Sequence, residues 1–316
     1  MQMFRTINIR NCFFIAVFVL TLTACNTNNA VKIETVMLDK QNENANCYTA
    51  VFPSGRPINS YMILLPGFGE SAENVLKATD FPHKAAGAGI AVFIPLLENG
   101  VESYSFSSKS QSALQSIVKD IRDRFDLEES AYCVGGFSMG GSAAIRYAEL
   151  ASESRPACVF AIDSPLDYER FRYSTERDVK VYRKGISDGD SIYIKLLEDI
   201  TPIIADSPYL LSDTTHKAIL PLKDIPIRYY IEPAEQWWLD NRKTDVLGLN
   251  ILDATAFIND LRLIGNNNAE LIVTYEKGCR NDYKNGRKIY HPHSWTIADA
   301  DELIKWIIQC TDCSKN

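Results

Sequence analysis

Histidine is scarce in this chain. There are only four in 316 residues, His83, His216, His291 and His293, so chemistry that needs an imidazole base has few places to reside. Basic charge is short as well. Lys and Arg total 33 against 40 Asp and Glu, a formal net charge of −7, which disfavours nucleic acid as a partner and a basic membrane-surface patch as a device. Long apolar runs are missing: Cys12 to Leu20 is the longest near the N-terminus and is about half the length of a membrane-spanning helix. Internal repeats and low-complexity blocks are missing too, so one α/β unit with one core is the expectation for the bulk of the chain. No His, Cys, Asp or Glu cluster has metal-ligand spacing; His291-x-His293 is the nearest approach and lacks further ligands. No metal and no cofactor are expected.

What is present begins with an export signal. Arg5 and Arg10 precede the short apolar stretch, and small residues follow it. Leu22-Thr-Ala-Cys25 resembles the bacterial lipobox, in which the cysteine receives fatty acyl chains such as palmitate and the signal is cut before it. The resemblance implies a signal peptide over 1–24, a lipidated tether over 25–30 and a domain over 31–316, anchored to a membrane through Cys25. The competing reading is an ordinary signal peptide in which Cys25 is incidental. Asn26-Thr-Asn-Asn-Ala30 suits a flexible tether, and Asn26 in place of aspartate favours the outer membrane of the bacterial envelope by the sorting rule of proteobacterial lipoproteins. Loss of residues 1–24 removes two arginines and no acids, moving the charge from −7 to −9. Six further cysteines allow 15 pairings if oxidised. Cys133 and Cys158 read as buried thiols in strands, and Cys279 with Cys310 or Cys313 is the expected disulfide.

Elements alternate along the domain. Residues 31–38 and 46–52 read as an edge hairpin. Tyr61–Leu65, Ile90–Ile94, Ala131–Gly135, Cys158–Ile162, Ile227–Ile231 and Leu271–Tyr275 are short runs apolar on both faces, as parallel strands covered by helices require. Helical patterns lie over Ser71–Ala86, Ser110–Phe125, Ala143–Leu150, Leu247–Ile264 and Ala298–Ile308. This order predicts a mostly parallel sheet with helices on both faces. Residues 164–222 break the rhythm and read as a helical insertion forming a cap over the strand ends.

The chemistry is concentrated in three places. Gly136-Phe-Ser138-Met-Gly140, followed by Gly141, stands between an apolar strand and a helix, the setting of a nucleophile elbow. A sharp turn exposes the Ser138 hydroxyl, and glycines let strand and helix approach closely. Leu65-Pro-Gly-Phe-Gly-Glu70 follows the strand expected beside the elbow strand, so the N–H groups of Phe68 and Met139 are the candidate oxyanion donors. The alternative for that loop is an ordinary glycine-rich turn. His291-Pro-His293 lies after the last strand and before the last helix, and His293 is preferred over His291 as the base. For the acid that orients it, Glu232 directly ends a strand and is preferred; Glu235 is next, with Asp240 and Asp163 as further choices.

Pro66-Gly-Phe-Gly69, the Gly-Phe-Ser-Met-Gly-Gly elbow and a C-terminal histidine, in the order serine, acid, histidine, resemble the α/β-hydrolase superfamily over nearly all of the 31–316 domain. The Phe-Ser-Met-Gly-Gly form is similar to the esterases and the prolyl-oligopeptidase-like branch. Pro66 departs from the histidine common before the oxyanion glycine, and Glu-Pro-Ala-Glu235 departs from the common Gly-x-x-Asp around the acid. The resemblance implies a lipid-anchored serine hydrolase acting on a small-molecule or glycan-linked ester. A serine peptidase is the alternative within the class. A non-catalytic lipoprotein using Tyr209, Trp237, Trp238 and Trp295 to bind sugars or peptides is the alternative outside it.

Overall fold

The computed structural model describes residues 31–38, 45–127, 131–152, 154–181, 195–282 and 286–314. The signal segment, Cys25 and the tether lie outside the described residues.

Eight strands form one sheet: β1 (Val31–Met37), β2 (Cys47–Pro53), β3 (Ser60–Leu65), β4 (Ile90–Leu96), β5 (Tyr132–Phe137), β6 (Cys158–Ile162), β7 (Ile227–Ile231) and β8 (Ala269–Val273), in spatial order β1-β2-β4-β3-β5-β6-β7-β8. The first two make the edge hairpin, β2 runs antiparallel to β4, and every pair from β4 to β8 is parallel. A second, two-stranded ribbon, β9 (Cys279–Asn281) with β10 (Lys288–Tyr290), carries no apolar alternation strong enough to be read beforehand.

Helices α1 (Ala72–Ala78), α2 (Phe81–Gly87), α3 (Ser108–Phe125), α4 (Met139–Leu150), α5 (Tyr168–Val181), α6 (Glu235–Arg242), α7 (Ile251–Leu263) and α8 (Ala300–Cys313) fill the connections. The single helix expected over 71–86 is two. Thr79 is extended, and Phe81-Pro82 restarts the chain, because proline suits a first helical turn and disfavours an interior one. Capping fixes other starts: Ser107 Oγ accepts from Ser110 N–H, and Asp299 accepts from Glu302 N–H.

The sheet buries both faces by its two-residue period. Tyr61, Ile63 and Leu65 of β3 join a core shared with Leu114, Ile117 and Ile121 of α3 and with Ala143, Ile145, Phe257 and Leu261 of α4 and α7. Met62 and Leu64, pointing the other way, join Val75, Phe81, Phe160, Leu303 and Ile307. Each large side chain buried this way contributes roughly 1.5–3 kcal/mol, which is why β3 to β6 tolerate no polar face.

The described parts of 164–222 include α5, a helical turn over 195–200 and two 3-10 turns, Thr201–Asp206 and Leu220–Leu222, with irregular chain over 207–219. They rest on a small core of Phe106, Met139, Tyr168 and Ile200, with the Phe106 and Tyr168 rings stacked at 3.8 Å. Asp253 of α7 pins the segment. Its carboxylate accepts from the Leu166 and Asp167 N–H groups and pairs with Arg170 Nε at 2.5 Å.

The expected disulfide is absent among the described residues, where all six cysteines are free thiols. Cys279 on β9 donates its N–H to Thr296, while Cys310 on α8 packs its thiol against Cys158.

Candidate active site

Ser138 follows β5 directly and has φ 53° and ψ −128°, a conformation that non-glycine residues avoid at a cost of about 1–3 kcal/mol. The surroundings enforce it. A Cβ on Gly136 would fall 2.6 Å from the Leu65 carbonyl oxygen, and one on Gly140 would fall 2.2 Å from the same atom, so strand, helix and neighbouring loop close around the serine only with glycine at both positions. Ser138 N–H donates to the Ile162 carbonyl at 2.8 Å, fastening the turn to the end of β6.

The residue after Ile162 is Asp163. Phe137 pairs with Ile162 in the parallel register and Ile162 pairs with Tyr230, so Asp163 emerges beside Ser138 at the same level. Its φ is 45°, its side chain is nearly sealed from solvent, and its N–H donates to Tyr230. Asp163 Oδ2 lies 2.6 Å from His293 Nδ1. The other oxygen accepts from Asn250 Nδ2 at 3.0 Å, and the same amide reaches the Asp163 carbonyl. A carboxylate only accepts, so Nδ1 carries a ring proton, and in the neutral ring Nε2 then holds the lone pair. The His293 ring is seated 4.4 Å from the Phe137 ring and 6.3 Å from that of Trp238.

The preferred acid of the sequence reading, Glu232, is elsewhere. Its carboxylate accepts from Thr274 Oγ1 at 3.1 Å and from the N–H groups of Lys277 at 3.0 Å and Gly278 at 3.3 Å. Glu235 and Asp240 are exposed on α6, and Asp240 accepts from Gln236 one turn away. Sheet topology separates the two acids. β6 lies next to the serine strand and β7 one strand further, about 4.8 Å away, so the acid ending β6 reaches His293 and the acid ending β7 turns to the loop after β8.

Around the serine hydroxyl, the loop 66–69 passes so near that a Cβ on Gly67 would sit 3.4 Å from Ser138 Cβ. Gly67 N–H is taken by Glu70 at 2.9 Å, and Glu70 also receives Trp295 Nε1, which stiffens the loop beneath Phe68. Met139 opens α4, where first-turn N–H groups have no intrahelical acceptor and the helix dipole is positive. Phe68 and Met139 thus flank Ser138 from two sides of one cavity of about 330 Å³.

That cavity is also lined by Asp163 and His293, by the apolar Phe171, Leu196 and Leu249, and by Arg242, Arg280 and His291. His291 is buried, and its Nε2 meets Arg242 Nη2 at 3.3 Å. Burial first, then the charges of Arg280, His293 and Arg242, push its pKa down to about 3. It is a neutral imidazole, and it does not touch the Asp163 carboxylate. His216 pairs with Asp260 at 3.4 Å and His83 belongs to α2, leaving His293 as the imidazole beside the serine turn. Among the described residues no group of three His, Cys, Asp or Glu side chains is arranged to hold a metal. Asn250, Arg242 and Arg280 carry no sequence signal that singles them out; they join the site through folding.

No family model matches the chain, and no curated protein matches it. Solved structures do. A lipase in its open form superposes with a TM-score of 0.55 at 13% identity, covering 88% of this chain and 100% of the other. An esterase of Pyrococcus furiosus gives 0.54 at 16%, covering 90% and 91%. An S-formylglutathione hydrolase of Agrobacterium tumefaciens gives 0.52 at 14%, covering 90% and 98%. With the strand order and the serine turn already in place, these likenesses identify the fold of this chain as that of the α/β hydrolases.

Proposed function

We propose that this chain is a serine hydrolase that cleaves carboxylic esters through an acyl-enzyme. The observation that carries the proposal is the 2.6 Å contact between Asp163 and His293 in the cavity that also holds Ser138 at positive φ. With Nδ1 protonated towards Asp163, His293 Nε2 accepts the Ser138 proton as Oγ attacks the carbonyl carbon. Negative charge on the carbonyl oxygen meets the Phe68 and Met139 N–H groups, while Asp163 stabilises the imidazolium. His293 returns the proton to the departing alkoxide, and water repeats the sequence to release the acid. Esterases and a lipase among the fold's solved relatives support the class.

The export reading belongs to the same proposal: cleavage before Cys25, lipidation there, and placement of the domain at the outer membrane with residues 164–222 selecting the substrate. It rests on the Leu-Thr-Ala-Cys motif and the polar tether.

The test is hydrolysis of a p-nitrophenyl ester series from acetate to long acyl chains by the purified protein and its Ser138→Ala variant. Turnover that falls by roughly 10⁴-fold or more in the variant is expected; turnover that survives the substitution overturns the proposal. Labelled palmitate retained by the wild type and lost in Cys25→Ser tests the anchor.

A further inference from the structure

The contact between Asp163 and His293 uses one oxygen of a carboxylate whose residue is 3% exposed. An amide holds the rest of that side chain. Asn250 Nδ2 reaches Asp163 Oδ1 at 3.0 Å and the Asp163 carbonyl oxygen at 3.1 Å, so the two protons of one NH2 group serve both acceptors. Side chain and backbone of Asp163 are thereby clamped together at a φ of 45°, which a non-glycine residue keeps only when its surroundings impose it. At so low an exposure, bulk water is a poor substitute for that donor.

An amide can present nitrogen or oxygen, and its neighbours decide which. A carboxylate only accepts, so Nδ2 faces Asp163; a guanidinium only donates, and Arg170 Nη2 lies 3.5 Å from Asn250 Oδ1. Arg170 is itself fixed. Its Nε and Nη2 grip the buried Asp253 carboxylate at 2.5 and 2.7 Å, and its Nη1 donates to the Leu247 carbonyl at 2.9 Å. Asn250 and Asp253 stand three positions apart at the start of α7, hence on one face. From that face Asn250 takes Asp163, and Asp253 takes the N–H groups of Leu166 and Asp167, further along the same connection from β6 to α5. Arg170, on α5, bridges the two.

We infer that Asn250 is a positioning residue that aims Asp163 at His293, and that Arg170 sets the direction of its amide, so that the 164–222 segment and Asp163 are held as one unit. The kinetic consequence rests on the serine-hydrolase reading; the hydrogen bonds do not. A carboxylate freed at Oδ1 can rotate away from His293 Nδ1–H, and the imidazolium formed during attack then loses its counter-charge. That loss falls on the transition state and is read in kcat.

Asn250 also lines the cavity, so direct contact with substrate is the rival explanation, and a double-mutant cycle separates the two. With the p-nitrophenyl ester that the wild type turns over fastest, Asn250→Leu should lower kcat by about tenfold to a hundredfold and change KM by less than about threefold. In the Asp163→Asn background the same substitution should change kcat by less than about threefold, because its target is already lost. Arg170→Lys, which keeps a cation for Asp253, should lower kcat by roughly threefold to tenfold in the wild type and make Asn250→Leu no worse. Equal losses in the wild-type and Asp163→Asn backgrounds, an effect confined to KM, or a wild-type kcat in Asn250→Leu overturns the inference; a wild-type kcat in Arg170→Lys overturns the role given to Arg170. Asn250→Ala serves for the same comparison should Asn250→Leu fail to fold. Proton NMR provides a readout without turnover. The downfield resonance of His293 Nδ1–H, assigned by its absence from His293→Ala, should shift in Asn250→Leu and exchange with water about tenfold faster. A resonance missing from the wild type, or identical in the two proteins, refutes the positioning role. Absence of any ester turnover by the wild type overturns the hydrolase reading, while the NMR measurement still decides the role of Asn250.

Discussion

The ends of β6 and β7 present the same chemical group to different surroundings. Asp163 and Glu232 each follow the last residue of a central parallel strand, and they are 3% and 1% exposed. Asp163 meets an imidazole and one amide of Asn250. Glu232 meets a threonine hydroxyl, two backbone N–H groups and the Tyr290 hydroxyl. A partner that takes up a proton during reaction makes the first carboxylate useful to chemistry. Partners that keep their protons near neutral pH make the second a brace for the loop leading into β9. Burial at a strand end is thus shared by both and diagnostic of neither; the partner's acid–base behaviour separates them.

The comparison breaks most visibly through substitution of the two acids. Asp163→Asn preserves shape but lets Nδ1 lose its acceptor, and kcat should fall by about 10³–10⁴-fold with little change in Tm. Ester kinetics and a thermal melt on the same preparation check this; a loss below tenfold would transfer the role elsewhere. Glu232→Gln should show the opposite profile. Buried hydrogen bonds to a charged group contribute about 1.5–3 kcal/mol, so urea unfolding should reveal a loss of that size while kcat falls far less than in Asp163→Asn. An equal collapse in kcat would erase the contrast between the two strand ends.

A smaller effect concerns the neighbouring histidine. In the folded protein His291 stays neutral down to about pH 3, whereas the unfolded chain protonates it near 6.5. The unfolded state therefore binds the extra proton across that window, and stability contributed by the neutral ring is present above 6.5 and is lost as pH falls towards 3. The expected slope is about 1.4 kcal/mol per pH unit. His291→Gln should flatten the difference between unfolding free energies at pH 6.5 and 5.5 by up to that amount. An unchanged pH dependence would mean that burial and the charges of Arg280, His293 and Arg242 leave His291 able to protonate.

Sequence alone carried the backbone logic of this protein. Glycines at 136 and 140 around a serine, after one apolar run and before a helix, specify a turn that no other residue pattern fits, because Leu65 approaches both positions to within contact distance. Two-sided apolar strands specify a covered parallel sheet, and the scarcity of histidine left few bases to weigh. Local sterics and hydrophobic period act over a few residues, so they are written in the order of residues. The tertiary structure decided what meets across strands. That Asp163 rather than Glu232 touches His293 depends on β6 lying between β5 and β7; that Arg242 and Arg280 share one cavity depends on the β9 ribbon folding back towards α6. Such contacts join residues separated by 38 to 130 positions, and a carboxylate acquires its role from whichever side chain the sheet places within about 3 Å, a distance that no local pattern encodes.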